Sequence, residues 1–178
     1  GADTIDVIET DVYVARKQLS VTHKEELIKV CLAPCVGKVR LHLNYDNAPG
    51  VLSTECFVGG IGSGFICYDS LFVHDRKLTM RMRDAGTDEH NLVMYESTSF
   101  PSRDRVVTAS RNGVRSEDLW QLDAITKLED KWIRTTVKFQ SPLRAGECLD
   151  IYGVVNPGGD ITIDALSLDV SISVSLEW

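Results

Sequence analysis

From residue 166 to residue 178 the chain alternates between apolar and polar side chains without a break. Leu166, Leu168, Val170, Ile172, Val174, Leu176 and Trp178 are apolar, and Ser167, Asp169, Ser171, Ser173, Ser175 and Glu177 lie between them. Side chains of a strand point alternately to its two faces, so this pattern reads as one long strand with one buried face. Its other face is mostly serine and offers no constellation of catalytic residue types. The feature constrains architecture strongly and chemistry hardly at all.

The same period of two recurs upstream. In 38–45, Val39, Leu41, Leu43 and Tyr45 alternate with Lys38, Arg40, His42 and Asn44. In 78–83, Leu78, Met80 and Met82 oppose Thr79, Arg81 and Arg83, and Ile133, Thr135, Val137 and Phe139 share a face opposite Arg134, Thr136 and Lys138. Less regular strand candidates lie at 4–14, 65–73, 91–96, 105–109 and 148–155. Turn signals separate them at Asn47-Ala48-Pro49-Gly50, Asn112-Gly113 and Asn156-Pro157-Gly158-Gly159. About eight to ten short strands with such turns predict an all-β sandwich of jelly-roll type, built of antiparallel strands.

Two segments resist that pattern. Thr22-His23-Lys24-Glu25 has the form of a helix capping box, with Leu27, Val30 and Cys31 able to line one helix face. Ile28, Val30 and Leu32 also alternate, and the β context favours a strand there. Ile161 and Ile163 sit at odd positions whereas the closing run uses even ones, so a bulge or bend is expected near Asp164-Ala165.

At 178 residues the chain fits one domain, 1–178, with no linker, repeat or low-complexity segment. Its net charge of −7 argues against a generic nucleic-acid binder. No apolar run approaches the roughly 20 residues of a membrane span, so no membrane partner is expected. The five cysteines, Cys31, Cys35, Cys56, Cys67 and Cys148, are odd in number and irregular in spacing, and no Asn-x-Ser/Thr sequon occurs. Both features favour reduced thiols in a cytosolic setting.

Reactive motifs in the chain are mostly incomplete. Gly59-Gly60-Ile61-Gly62-Ser63-Gly64 lacks the Lys-Ser/Thr of a phosphate loop and the spacing of a dinucleotide fingerprint. Ile61 also rules out a Gly-x-Ser-x-Gly nucleophile elbow. The run reads as a connection in which glycine permits positive φ. Cys31 and Cys35 have no second ligand pair at zinc spacing, the four histidines form no metal pattern, and Cys148 has no nucleophile signature. Glu89 and Glu96 could form an acid/base pair only through the fold. No catalytic residue, cofactor, metal or small-molecule substrate is therefore expected.

Charge is distributed unevenly. Residues 76–115 hold eight basic side chains against five acidic ones, whereas six acidic and no basic residues follow Arg144. Such asymmetry suits electrostatic pairing between copies or with a sister subunit. Arg81, Arg83, Arg103 and Arg105 are the candidates for contact with RNA or with another subunit. Residues 1–30 carry four basic and six acidic side chains, so there is no polybasic arm.

Taken together, the length, Gly1 as the residue left by a viral protease cutting after Gln, the strand-rich organisation and the closing Ile172-Ser173-Val174-Ser175-Leu176-Glu177-Trp178 resemble a known family. The chain resembles the small coat proteins of plant picorna-like viruses, the secovirid group, and most of all the smallest of the three cheravirus coat proteins. That resemblance implies a jelly roll packed with sister coat proteins and copies of itself in an icosahedral shell around single-stranded genomic RNA. It places the chain in the virion, and in the host cytoplasm during assembly. A second resemblance runs to secreted MAM-like or carbohydrate-binding sandwiches. It is carried by Asp118-Leu119-Trp120-Gln121, Lys131-Trp132-Ile133 and 159–166. It implies sugar contact through Trp120 or Trp132 and calcium near the last strand.

Overall fold

A computed structural model describes residues 3–5, 11–18, 28–104, 107–110, 113–116, 118–164 and 170–177, and every regular element in them is a strand. Six strands form one sheet in the order β1 (Asp3–Ile5), β8 (Leu78–Arg81), β5 (Ser53–Gly59), β13 (Trp120–Lys127), β14 (Trp132–Phe139) and β17 (Val170–Glu177). Five form the other, in the order β16 (Ile161–Ile163), β15 (Cys148–Val155), β4 (Gly37–Asn44), β10 (Val93–Ser99) and β9 (Arg83–Thr87). Three small pairs join β2 (Tyr13–Val14) to β3 (Ala33–Pro34), β6 (Gly64–Ile66) to β7 (Leu71–Val73), and β11 (Val107–Ser110) to β12 (Gly113–Ser116). The all-β sandwich expected from the alternation is what the chain forms.

The alternating positions make the core. Val39, Leu41 and Leu43 of β4 pack with Ile151 and Val155 of β15 on one side. Cys56 and Val58 of β5, Leu122 and Ala124 of β13, and Val137 and Phe139 of β14 come from the other. One continuous cluster of buried side chains thus joins the two sheets.

Several expectations need correction. Two pairings are parallel, β15 with β4 and β1 with β8, so the sheets are not wholly antiparallel. The expected strand at 65–73 is a hairpin, β6 and β7, with Ser70 in its turn at φ 55°. Residues 28–32 are not a strand, and Ile28, Val30 and Leu32 are all exposed. The capping box at Thr22–Glu25 lies outside the described residues. The expected strand 78–83 is divided between the sheets. Arg81 ends β8, the buried Met82 donates its N–H to Cys56 O at 2.8 Å, and Arg83 opens β9 on the opposite sheet.

The chain changes sheet again before the last strand. Ile161 and Ile163 face the core from the five-stranded sheet, whereas β17 belongs to the six-stranded one. The bulge or bend expected near Asp164-Ala165 falls where the described residues end, at Asp164. Ala165 and the rest of 165–169, including the first residues of the alternating run, lie outside the described residues, as does Trp178.

Candidate functional site

The candidate arginines do not form one patch. Arg81 Nη2 lies 2.8 Å from Glu55 Oε1 on the six-stranded sheet, and Arg83 Nη2 lies 3.2 Å from Glu96 Oε1 on the five-stranded sheet. Arg103 donates to the His74 carbonyl at 2.8 Å, and Arg105 lies outside the described residues. Glu96 also accepts from Arg40 Nε at 3.1 Å, so one carboxylate gathers several of these cations. Within this basic stretch, Arg81 and Arg83 are thus paired with carboxylates inside the fold. A cleft of about 510 Å³ does collect Arg76, Lys77 and Arg103 beside Gly60, His74 and Gln121.

A polar node that side-chain periodicity does not reveal lies on the outer face of the five-stranded sheet. His42 Nδ1 is 2.7 Å from Asp88 Oδ2, and its Nε2 is 2.9 Å from Asp150 Oδ1. The ring stacks on Tyr152, with centroids 4.6 Å apart. A neutral imidazole has one N–H, so meeting both carboxylate oxygens takes a second proton, on the ring or on a carboxyl. Asp88 Oδ1 meanwhile accepts from the N–H groups of His90 and Leu92, at 2.8 and 2.9 Å. The Leu92 N–H is the chief cause holding the Asp88 carboxyl below its ordinary range, with His42 adding to it. Through these contacts His42 ties β4 to β15 and to the β9–β10 turn, as a latch across the sheet face.

The latch has a pH signature. A carboxyl with a depressed folded pKa contributes stability that is fully present above its unfolded pKa and is lost as pH falls through the folded value. Asp88→Asn keeps an oxygen for the two backbone donors but removes the charge. It should lower the urea midpoint at pH 7, and the gap from wild type should close from about pH 4 downwards. Urea titrations across that range check this. An unchanged gap down to pH 2 would mean that the charge on Asp88 is irrelevant to folding.

The thiols and tryptophans are placed as follows. All five cysteines are free, with Cys35 and Cys56 buried and Cys31, Cys67 and Cys148 exposed. Burial pushes the Cys56 thiol strongly up, so it stays uncharged. Trp120 is buried, stacked face to face on Phe139, and gives its indole N–H to Ser141 O at 2.8 Å. Trp132 is partly buried under Lys127 Nζ, 5.2 Å from the ring centroid. No group of three or more His, Cys, Asp or Glu suited to a metal occurs among the described residues.

The most distinctive surface is β17. Residues directly opposite in an antiparallel pair share a face, so rows of partners can be followed across the six-stranded sheet. The row Val58, Leu122, Val137 is buried, at 0, 1 and 1% exposure, and its next member, Ile172, is 44% exposed. The row Cys56, Ala124, Thr135 is buried likewise and ends at Val174, 54% exposed. Leu176, opposite the buried Ile133, is exposed to the same degree. These side chains point to the core side of their sheet yet lack cover.

The cause is that the opposite sheet stops short. Its edge strand β16 already lies under β14, where the Ile161 N–H donates to Thr135 Oγ1 at 3.0 Å and Thr126 Oγ1 donates to Gly159 O. β17 therefore overhangs, with Ser171, Ser173 and Ser175 exposed on its other face. It is also an edge strand, and 170–176 contain no charge and no proline. Edge strands are normally protected by charge, bulges or shortness. β9 carries Arg83 and Asp84 and pairs irregularly with β10, and β1 and β16 are three residues each. Among the described edges, only β17 is long, free of charge over 170–176 and apolar on a face left uncovered.

The fold and this surface define a β-sandwich with one unfinished side. No known family model matches the chain, and no curated protein matches it. Among solved structures it is similar to a protein described as a "putative cell adhesion protein" from Bacteroides fragilis, at 11% identity and a TM-score of 0.43. The match covers 87% of this chain and 51% of that one, so the chain spans about half the length of that protein.

Proposed function

We propose that the chain is a structural subunit that works by packing against other protein domains and performs no catalysis. The observation that supports this reading is the half-exposed, core-facing row Ile172, Val174 and Leu176 on an uncharged edge strand. Isolated apolar residues on a surface are ordinary, but an ordered row continuing the core beyond its cover is the form of an interface. A coat subunit that packs with sister coat proteins around single-stranded RNA is the specific form we propose. The internal pairing of Arg81, Arg83 and Arg103 favours protein contacts over RNA contacts for this subunit.

The test is the triple substitution Ile172→Thr, Val174→Thr, Leu176→Thr, which keeps strand-forming residues while removing the apolar row. If the row is a vacated interface, the variant remains folded and its solubility limit rises several-fold over that of the wild-type chain. A wild-type chain that stays monodisperse at about 100 µM, gains nothing from the substitutions and binds an oligosaccharide or calcium overturns the proposal in favour of a recognition module.

A further inference from the structure

Resting on that reading, we infer that the occupant of the open edge is β17 of a second copy, paired antiparallel about a twofold axis through Val174. The argument is one of complementarity. A strand that suits this edge is long and alternating, and residues 170–176, which carry no charge, present that pattern to their own image. In a register centred on Val174, the two Val174 residues face each other, Ile172 of each copy faces Leu176 of the other, and Ser173 faces Ser175. Every apolar position meets an apolar position and every serine meets a small polar one, which is the favourable arrangement for cross-strand pairs.

Charge supports the same register. Glu177 of one copy falls opposite Ser171 of the other rather than opposite a second carboxylate. Ser171 is in turn the register partner of Lys138 on β14. Glu177 of one copy, Ser171 and Lys138 of the other thus occupy one row, with the ionic positions two strand spacings, or roughly 10 Å, apart. The pairing satisfies the backbone groups of both edges at once. Two six-stranded sheets would then run on as one. The overhanging apolar rows of the two copies become neighbours, so each supplies cover that the other lacks.

The test combines sedimentation with directed cross-linking in a background where the exposed Cys31, Cys67 and Cys148 are replaced by serine. The chain should sediment as a dimer at about 100 µM, and Val174→Lys should abolish the dimer while leaving the urea midpoint nearly unchanged, since position 174 is half exposed. Mild oxidation should convert Val174→Cys to a covalent dimer. Ile172→Cys should not cross-link, because its two copies would stand about 13 Å apart along the strands. A dimer that survives Val174→Lys, or Ile172→Cys linking as readily as Val174→Cys, overturns the register and the interface. A chain that remains monomeric, yet becomes more soluble with the triple threonine substitution, overturns self-pairing and leaves the assembly reading standing. A monomer indifferent to both sets of changes overturns both.

Discussion

Phe139→Ala should destabilise the fold by about 3–5 kcal/mol, a large share of the roughly 5–15 kcal/mol that an ordinary domain has. Phe139 is 1% exposed and its ring lies 3.9 Å, centroid to centroid, over that of Trp120, with 4° between the planes. The two residues are register partners on β13 and β14. Removing the phenyl group loses its transfer energy and also strips one face of a second buried aromatic. The indole cannot simply drop into the gap, because its N–H is fixed to Ser141 O and the Leu119 N–H to Phe139 O, each at 2.8 Å. A cavity should therefore persist, which places the loss in the upper part of the range for such substitutions. Phe139→Leu fills most of the volume and should cost under about 1.5 kcal/mol. Urea unfolding of the two variants decides the matter, and equal losses would mean that the site collapses freely.

How much of this was readable from the residues depends on the scale of the contact. β4, β14 and the closing strand were legible because a strand with one buried face must alternate, and Val39, Leu41 and Leu43 or Ile133, Val137 and Phe139 do so plainly. The sheet to which a strand belongs was not legible. Leu78 to Arg83 keeps perfect alternation while the chain passes from one sheet to the other at Met82, since both sheets face the same core. The basic excess of 76–115 was visible, but the pairing of Arg81 with Glu55 and of Arg83 with Glu96 is one that only the fold creates. The His42 latch is more remote still, joining residues 46 and 108 positions apart. The apolar face of the last strand was evident, yet whether it is covered depends on how far the opposite sheet extends. The surface that carries the functional proposal is thus a property of sheet width, which periodicity does not encode.

Gly60→Ala should lower stability by about 2–4 kcal/mol, and Gly64→Ala, four residues away in the same glycine-rich run, should be close to neutral. The run 59–64 reads in sequence as a connection that needs glycine for its backbone freedom. The structure separates its members. Gly60 has φ +77°, a conformation that costs a residue with a Cβ about 1–3 kcal/mol. A Cβ there would also lie 2.8 Å from Trp120 Cα and 2.9 Å from Leu119 O, both backbone atoms at the start of β13. Relief would require moving that strand, and with it the indole stacked on Phe139. Gly64 has no atom within 4 Å of where its Cβ would be, and its φ is not positive. An alanine there restricts the unfolded chain without meeting anything in the folded one. For a chain of this size the difference corresponds to a melting temperature lower by roughly 5–15 °C for Gly60→Ala and little changed for Gly64→Ala. Thermal unfolding of both variants is the check. Equal and small shifts would show that the segment is a loose linker, whereas the expected divergence would fix Gly60 as the point where the loop is keyed into the aromatic core.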